Sequence, residues 1–318
     1  MFAVRFSTAT KLNRYLLLSS SRSKSPCCSA FFSSEIPLAE PSIDVSAFQT
    51  TLTNLAPSIS KSLSTNGYYA TPEPYSILSQ HSIRTMREQS INLRNIGRYE
   101  QSWSEKIDAS GKVTRFDKEG VFACEPDGGD YNDAPDLIMY LSVMLQTLPD
   151  LLNSQGSEYG LSASSFNAKL AVTSPGGSVY PLHIDNPQGL SAGDTRRLTC
   201  ILYMNPEYQD GDGGELRIFC GGGSSTITAN NTDGSSSITG ETKKRGDVVD
   251  ITPDGGRMVL FWSDEIPHEV LPTAPNANKS DEMRDRYALT VWIPTDYHHT
   301  IHNPASKFAI LGEEVFSK

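Results

Sequence analysis

The sequence predicts an α+β protein with a mainly β core, in which helices come first and strands follow. Apolar residues recur at helical spacing through the first half of the chain, and β-type segments dominate from Ala168 onward. The 318 residues are 37% hydrophobic, which is enough to bury one sizeable core. We expect a leader at residues 1–36, supporting helices and a hairpin at 37–165, a β-rich core at 166–300 and a tail at 301–318.

Three stretches, at about residues 43–63, 76–96 and 134–154, have the apolar periodicity of amphipathic helices. Pro57 should kink or split the first of them, because proline cannot donate a backbone hydrogen bond. Residues 67–70 are typical of a short strand, and Ser110-Gly111 is typical of a hairpin turn. We expect the helices to support one sheet and to leave the other sheet and the barrel mouth for chemistry.

Alternation of side chains predicts two strands with a polar inner face. In the first, Thr199, Ile201 and Tyr203 share one face, and in the second the alternating residues are Arg286, Ala288, Thr290 and Trp292. A guanidinium group on the same face as a tryptophan suggests a lined pocket, and its planar fork matches a carboxylate. The alternative is an edge-strand arginine in a surface ion pair.

One short triplet has the spacing of metal ligands. His183 and Asp185 are two positions apart, so an extended chain projects both to the same side. His268, from a distant strand, would complete a facial triad of two histidines and one carboxylate, which suits Fe(II) oxygenase chemistry. The triplet alone is weak, since most histidines in globular proteins are only hydrogen-bonded or exposed.

Several motifs then follow in one order: His-Ile-Asp-Asn-Pro, Arg-Leu-Thr-Cys-Ile-Leu-Tyr-Met-Asn-Pro, Gly-Gly-Glu-Leu-Arg-Ile-Phe, Val-Leu-Phe-Trp-Ser-Asp, Pro-His-Glu-Val and Arg-Tyr-Ala-Leu-Thr-Val-Trp. This series resembles the prolyl 4-hydroxylase branch of the Fe(II)/2-oxoglutarate dioxygenases, and within it the oxygen-sensing, EGLN-type (HIF-type) prolyl hydroxylases. The likeness covers about residues 165 to 296 and extends more weakly to about residue 45. It implies a double-stranded β-helix, a jelly roll of the cupin-like kind.

The resemblance also implies roles for individual residues. It implies that His183, Asp185 and His268 bind Fe(II). Arg286 would hold the far carboxylate of 2-oxoglutarate, with Tyr203 as its support. It places Thr199 and Ile201 beside the cosubstrate and Arg196 at the substrate entrance. The residues that it places near the metal are Thr290, Trp292, Val270 and Thr173.

The chain departs from the family pattern in three places. His268 and Arg286 are separated by an insertion at about residues 271–285, which makes Arg284 a competing anchor. A second insertion, at about residues 221–245, is rich in Gly, Ser, Thr and Asn and predicts a flexible surface loop. Thr173 stands where the oxygen-sensing enzymes have a tyrosine.

The implied activity is hydroxylation of a proline in a protein substrate, of the peptidyl-proline 4-dioxygenase type. It would be coupled to oxidative decarboxylation of 2-oxoglutarate to succinate and CO2. Fe(II), 2-oxoglutarate and O2 take part, with L-ascorbate as a supporting reductant, and we expect a monomer. Two alternatives remain: an oxygenase of the same fold that acts on another substrate, such as a lysine side chain or alkylated nucleic acid, and a binding module without catalysis.

The first 34 residues differ from the rest, with five basic residues, nine serines and no acidic residue. This composition predicts an organellar transit peptide, mitochondrial rather than plastid; the alternative is a disordered tail on a cytoplasmic or nuclear protein. Without those five basic residues the net charge changes from −10 to −15, which argues against a nucleic-acid partner. No apolar run approaches the length needed to cross a bilayer, and the five cysteines contain no C-x-x-C pair.

Overall fold

The computed structural model describes residues 40–73, 77–107, 113–156, 159–177, 179–187, 190, 194–219, 248–274 and 281–296. The predicted leader, the turn at Ser110-Gly111, the insertion at 221–245 and the tail at 301–318 lie outside these residues. Helices precede most of the strands, and two antiparallel sheets form the core.

The first helix, α1 (Val45–Asn66), begins at Asp44, whose carboxylate accepts the backbone N–H of Ala47 at 2.9 Å. It ends at Gly67, which takes the left-handed conformation (φ 79°) that glycine adopts without a steric penalty. The expectation that Pro57 could split this helix is wrong, because α1 continues through it. Pro57 lies on the exposed side of the helix, where water can bond the carbonyl group that proline leaves unpaired.

Two further helices, α2 (Gln80–Asn95) and α3 (Pro135–Gln155), agree with the second and third predicted stretches. Asp136 at the start of α3 is buried, and its carboxylate accepts Ser42 Oγ at 2.6 Å and Gln89 Nε2 at 2.8 Å. Buried carboxylates need such partners, so this group joins the chain before α1 to both α2 and α3. A short 3-10 helix at Gly128–Asn132 precedes α3.

The strands in chain order are β1 (Tyr68–Ala70), β2 (Glu100–Ile107), β3 (Val113–Cys124), β4 (Asn167–Thr173), β5 (Tyr180–His183), β6 (Arg196–Tyr203), β7 (Leu216–Phe219), β8 (Val248–Ile251), β9 (Met258–Trp262), β10 (His268–Val270) and β11 (Arg286–Pro294). A one-turn helix, α4 (Asp281–Arg284), precedes β11. The larger sheet has the order β1-β9-β6-β11-β4-β3-β2, and the smaller has the order β5-β10-β7-β8.

One face of the larger sheet is closed by helices. Leu170, Val172, Leu289 and Val291 alternate along β4 and β11 and are buried in the same apolar cluster as the helix residues Phe48 and Tyr140. Trp262 Nε1 at the end of β9 donates to the carbonyl of Leu63 in α1 at 3.1 Å. The other face therefore looks toward the smaller sheet, as expected for helices that support only one side.

The inner face of β4, β6 and β11 consists of aligned rows. The register places Thr173 opposite Arg286, then Ala171, Ala288 and Tyr203 in one row, Lys169, Thr290 and Ile201 in the next, and Asn167, Trp292 and Thr199 in the last. Along β11, Thr290 and Trp292 are partly accessible while Val291 between them is buried. This pattern indicates an open cavity between the sheets. None of the helices in the described segments is long and apolar enough to cross a membrane.

Candidate active site

Three candidate metal ligands meet between the two sheets. The antiparallel register pairs His183 at the end of β5 directly with His268 at the start of β10, and their ring centroids are 4.3 Å apart. Asp185 Oδ1 lies 3.6 Å from His183 Nε2 and 3.8 Å from His268 Nε2. One ligand atom from each residue falls within 4.8 Å of the other two, so the group could hold one metal ion.

Backbone carbonyls orient both imidazole rings. His183 Nδ1 lies 2.7 Å from the carbonyl of Pro181, and His268 Nδ1 lies 3.0 Å from the carbonyl of Ile266. A carbonyl can only accept, so each Nδ1 carries a proton, and in the neutral imidazole Nε2 then keeps its lone pair. The lone pairs then face Asp185, which is the tautomer that metal binding requires.

Two donors hold the other carboxylate oxygen of Asp185. Thr199 Oγ1 donates to Oδ2 at 2.7 Å and Trp292 Nε1 donates to it at 2.9 Å, which leaves Oδ1 facing the histidines. Although burial alone raises the pKa of Asp185, the nearby histidines and the Trp292 hydrogen bond hold it well below its ordinary value. Burial lowers the pKa of His268 to about 4. At neutral pH the site therefore offers an anionic oxygen and a neutral imidazole.

Asp185 is placed by a bend rather than by a strand. β5 ends at His183, so the two residues are not successive neighbours on one strand as the triplet spacing suggested. Asn186 Nδ2 donates to the carbonyl of Arg196 at 3.2 Å, and Arg196 Nη2 donates to the carbonyl of Asp185 at 2.7 Å. These contacts with β6 fix the bend. Arg196, expected at the substrate entrance, also forms a two-oxygen ion pair with Asp194.

Arg286 begins β11 on the inner face and is 7% exposed. Its Nε donates to the carbonyl of Gly214 at 2.7 Å, and its guanidinium carbon lies 5.0 Å from the ring centroid of Tyr203. No carboxylate among the described residues forms an ion pair with it. A buried guanidinium without a counter-ion is costly, so this site fits an incoming carboxylate. Arg284, the competing anchor, ends α4 instead.

Two hydroxyl groups near Arg286 are buried in the described part of the protein. Neither Tyr203 Oη nor Thr173 Oγ1 makes a hydrogen bond of good geometry within the described part of the chain. Thr173 is the direct cross-strand neighbour of Arg286, and Tyr203 lies one row further along. Burial raises the pKa of Tyr203, so its hydroxyl keeps its proton and can donate. Together with Arg286, these groups form a cradle that fits a small dicarboxylate such as 2-oxoglutarate.

The other predicted pocket residues lie around the same cavity. Ile201 and Thr290 are cross-strand neighbours in the row between Tyr203 and Trp292. Val270 lies two residues after His268 on β10 and pairs with Tyr180 of β5. The structure thus brings together residues from β4, β5, β6, β10 and β11. Alternation within single strands does not show that these strands lie together.

Sequence reasoning missed several residues of the site. Ser263 Oγ lies 2.7 Å from Thr199 Oγ1 and, because Thr199 donates its proton to Asp185, Ser263 is the donor. Gly214 has φ 77°, and a Cβ there would lie 2.7 Å from Arg286 Cδ. Lys169 lies on the inner face of β4 opposite Thr290, and its Nζ is 5.9 Å from the ring centroid of Tyr180 in β5. Its alternation with Thr173 along β4 was an available signal.

The fold is a double-stranded β-helix, and the site combines two histidines with one carboxylate, a ligand set that suits a non-haem iron ion. The family model of the 2OG-Fe(II) oxygenase superfamily matches residues 168–294 of this chain. Human Egl nine homolog 1 is 30% identical over 156 residues, which are 48% of this chain and 28% of that protein. Human prolyl hydroxylase EGLN3 is 31% identical over 156 residues, 48% of this chain and 51% of that protein. The chain thus spans about half or less of these relatives.

Solved structures give the same fold. A prolyl-4-hydroxylase from Pseudomonas putida superposes with a TM-score of 0.52 at 25% identity, over 76% of this chain and 98% of that one. A prolyl hydroxylase from Trichoplax adhaerens, in complex with a peptide fragment of hypoxia inducible factor, gives a TM-score of 0.55 at 24% identity, over 78% and 93% of the two chains. The predicted fold class and the predicted resemblance to prolyl hydroxylases are both confirmed.

Proposed function

We propose that this protein is an Fe(II)- and 2-oxoglutarate-dependent dioxygenase that 4-hydroxylates a proline in a protein substrate. One observation carries the proposal: a His-Asp-His cluster with converging ligand atoms is hydrogen-bonded to Trp292, and the same face of β11 carries a buried arginine that has no described counter-ion. The first fits a ferrous ion and the second fits the far carboxylate of an oxoacid.

His183, Asp185 and His268 would hold the iron, and the Nδ1–H groups of both histidines stay on backbone carbonyls. The bound iron supplies activation of O2, coupled to decarboxylation of 2-oxoglutarate to succinate and CO2. Thr199 and Trp292 keep Asp185 from rotating, because both donate to the oxygen that faces away from the histidines.

Arg286 and Tyr203 would fix the far end of the oxoacid, with the hydroxyl of Thr173 beside them. The apolar side chains of Ile201 and Val270 would line the space between this anchor and the metal ligands. Their role is to exclude water from the reacting end of the cosubstrate.

The choice of proline rests on similarity. Human prolyl hydroxylase EGLN3 and the superposed prolyl-4-hydroxylase from Pseudomonas putida carry this activity in their names, at 31% and 25% identity. The two alternatives from the sequence, another substrate for the same chemistry or a binding module without catalysis, are outcomes of the experiment below. We also propose L-ascorbate as the supporting reductant and a mitochondrial location, the latter from the basic, serine-rich leader.

The experiment measures succinate formed from 2-oxoglutarate by the full chain with added Fe(II). Each reaction is run with and without proline-containing peptides, and the peptides are analysed by mass spectrometry for a gain of one oxygen. We expect iron-dependent succinate that rises with a hydroxylated peptide. Succinate without any peptide hydroxylation would favour a different substrate, and a protein that binds neither Fe(II) nor 2-oxoglutarate would favour the binding module.

The matched variants are Arg286→Gln and Arg284→Gln, which remove the same charge from neighbouring positions. Loss of a buried carboxylate anchor should raise the KM for 2-oxoglutarate at least about 100-fold, the effect of roughly 3 kcal/mol. Arg284→Gln should leave that KM near the wild-type value. A raised KM in Arg284→Gln but not in Arg286→Gln would assign the carboxylate anchor to Arg284.

A further inference from the structure

Two lysine side chains lie against one tyrosine at the edge of the candidate site. Lys118 Nζ is 3.9 Å from the ring centroid of Tyr180, and Lys169 Nζ is 5.9 Å from the same centroid. Lys118 comes from β3, Lys169 from β4 and Tyr180 from β5, so the cluster spans both sheets. Both lysines are partly buried.

The sheet register places Lys169 close to the metal ligands. It is the direct cross-strand neighbour of Thr290 on the inner face. One row further along, Trp292 and Thr199 pair with each other and donate to Asp185. Same-face residues of a strand are about 7 Å apart, so the lysine lies within side-chain reach of a substrate group at the metal.

Neither ammonium group forms an ion pair or hydrogen bond with a residue that the structure describes. Burial and the neighbouring Lys169 lower the pKa of Lys118 to about 8. Burial lowers the pKa of Lys169 although Glu125, which is exposed and forms no described ion pair with it, and Asp185 act in the opposite direction. Two partly buried cations held close together oppose folding. Packing on Tyr180 offsets this only in part, since a cation–π contact contributes about 0.5–2 kcal/mol.

The cosubstrate does not account for this pair of charges. Arg286 already provides an anchor for the far carboxylate of 2-oxoglutarate, and the near end belongs at the metal. The charge of Asp185 is committed to the metal ion. Two positive charges thus remain at the mouth of the cavity for a further anion.

The surroundings favour a single carboxylate over a phosphate backbone. Asp117 and Glu119 flank Lys118 along β3 and are exposed, and the whole chain carries a net charge of −10. A nucleic acid would meet these acidic groups along its length, whereas one carboxylate inserted between the lysines would not.

We infer that Lys118, Lys169 and Tyr180 form a subsite for an acidic side chain of the protein substrate, close in sequence to the residue that is hydroxylated. The inference rests on the proposed function, because it concerns the substrate of the same site. It identifies the substrate class as a polypeptide with Asp or Glu near the target residue.

The test is direct binding of peptides to the full chain with Fe(II) and 2-oxoglutarate under nitrogen, followed by isothermal titration calorimetry. Nine-residue peptides with blocked ends carry a central proline in a Gly/Ser background. One Glu is placed at each position from three before to three after the proline, and each peptide has a Gln counterpart. At one or more positions we expect Glu to bind about tenfold more tightly than Gln, the worth of one charge-assisted hydrogen bond.

The variant Lys118→Gln/Lys169→Gln should bring the Glu and Gln peptides within about twofold of each other. Lys118→Gln alone, which leaves β4 intact, should give an intermediate ratio. Lys61→Gln, on the exposed side of α1, is the control for net charge and should keep the wild-type ratio. Near-ultraviolet circular dichroism checks that each variant is folded.

Equal binding of Glu and Gln peptides by the wild type, including no binding of either, would overturn the subsite. A preference that survives in the double variant would do so as well, and tighter binding of a ten-residue oligothymidylate would replace the acidic peptide with a nucleic acid. Succinate formed in air without peptide tests the proposed function separately, so failure of the subsite and failure of the oxygenase give different results.

Discussion

Trp292 donates its indole N–H to Asp185 Oδ2 at 2.9 Å and thereby turns Oδ1 toward His183 and His268. Trp292→Phe should keep most of the ring packing and remove this donor. Partners that orient metal ligands typically change metal affinity 10- to 100-fold, so we expect Mn(II), as a stand-in for Fe(II), to bind about tenfold more weakly. Isothermal titration of the full chain measures this.

Trp262→Phe is the matched control. Its indole N–H is also hydrogen-bonded, but to the carbonyl of Leu63, on the helical side of the larger sheet. This variant should unfold at a lower temperature with Mn(II) affinity unchanged. If both variants bind Mn(II) like the wild type, Thr199 alone is sufficient to orient Asp185.

The backbone at Gly214 packs closely against the side chain of Arg286. Its φ of 77° is one that residues with a side chain rarely adopt. An added Cβ would lie 2.7 Å from Arg286 Cδ and 3.0 Å from Thr273 Cγ2. Gly214→Ala should displace the guanidinium and raise the KM for 2-oxoglutarate at least about tenfold, with about 1–3 kcal/mol of lost stability. Steady-state kinetics and urea unfolding measure the two effects.

The control for backbone strain is Gly211→Ala. Gly211 also has a positive φ, of 90°, but no atom of the described residues lies within 4 Å of the Cβ position. It should lose stability without a change in the KM for 2-oxoglutarate. An equal rise in KM in both variants would mean that strain in this turn, and not contact with Arg286, is responsible.

Much of the site follows from local rules, because strand alternation needs only the sequence. It placed Thr290 and Trp292 on the face of Arg286, and the register agrees. The pairing of His183 with His268 depends on how β5 and β10 align, which no local pattern specifies. From the sequence, this pairing could be expected only because the ordered motifs resemble a known family.

Other features depend on tertiary contacts that a sequence does not display. The bend at Asp185 comes from two hydrogen bonds to Arg196, one from its side chain to the carbonyl of Asp185 and one to its carbonyl from Asn186. The strand spacing therefore gave the right neighbours with the wrong local geometry. Lys118 lies between two exposed acidic residues and has the pattern of a solvated strand. Only the return of the chain along β5, which brings Tyr180 beside it, reveals a role.

The lysine pair should also reduce stability in the absence of substrate. Lys118→Met keeps the unbranched chain and removes a partly buried charge that faces Lys169. We expect a gain of about 1 kcal/mol, or roughly 2–4 °C in Tm, by differential scanning calorimetry. Lys61→Met, at an exposed position, should change Tm by less than about 1 °C. A lower Tm for Lys118→Met would mean that its contact with Tyr180 outweighs the charge penalty.

His268 predicts how the metal-free protein responds to acid. Burial lowers its pKa to about 4 in the folded state, against 6.5 for an ordinary histidine, although Asp185 acts in the opposite direction. Between pH 6.5 and about 4 the unfolded chain therefore takes up a proton here that the folded chain does not, so stability falls as pH falls. Urea unfolding at several pH values, with a chelator present, should show this decline.

His268→Gln should reduce that decline, because glutamine does not titrate and the unfolded variant gains no proton at this position. The difference in unfolding free energy between wild type and variant should therefore shrink from pH 7 toward pH 4.5. His81→Gln, exposed on α2, should follow the wild-type curve because it leaves the buried histidine intact. A His268→Gln curve parallel to the wild type would assign the acid sensitivity to other groups.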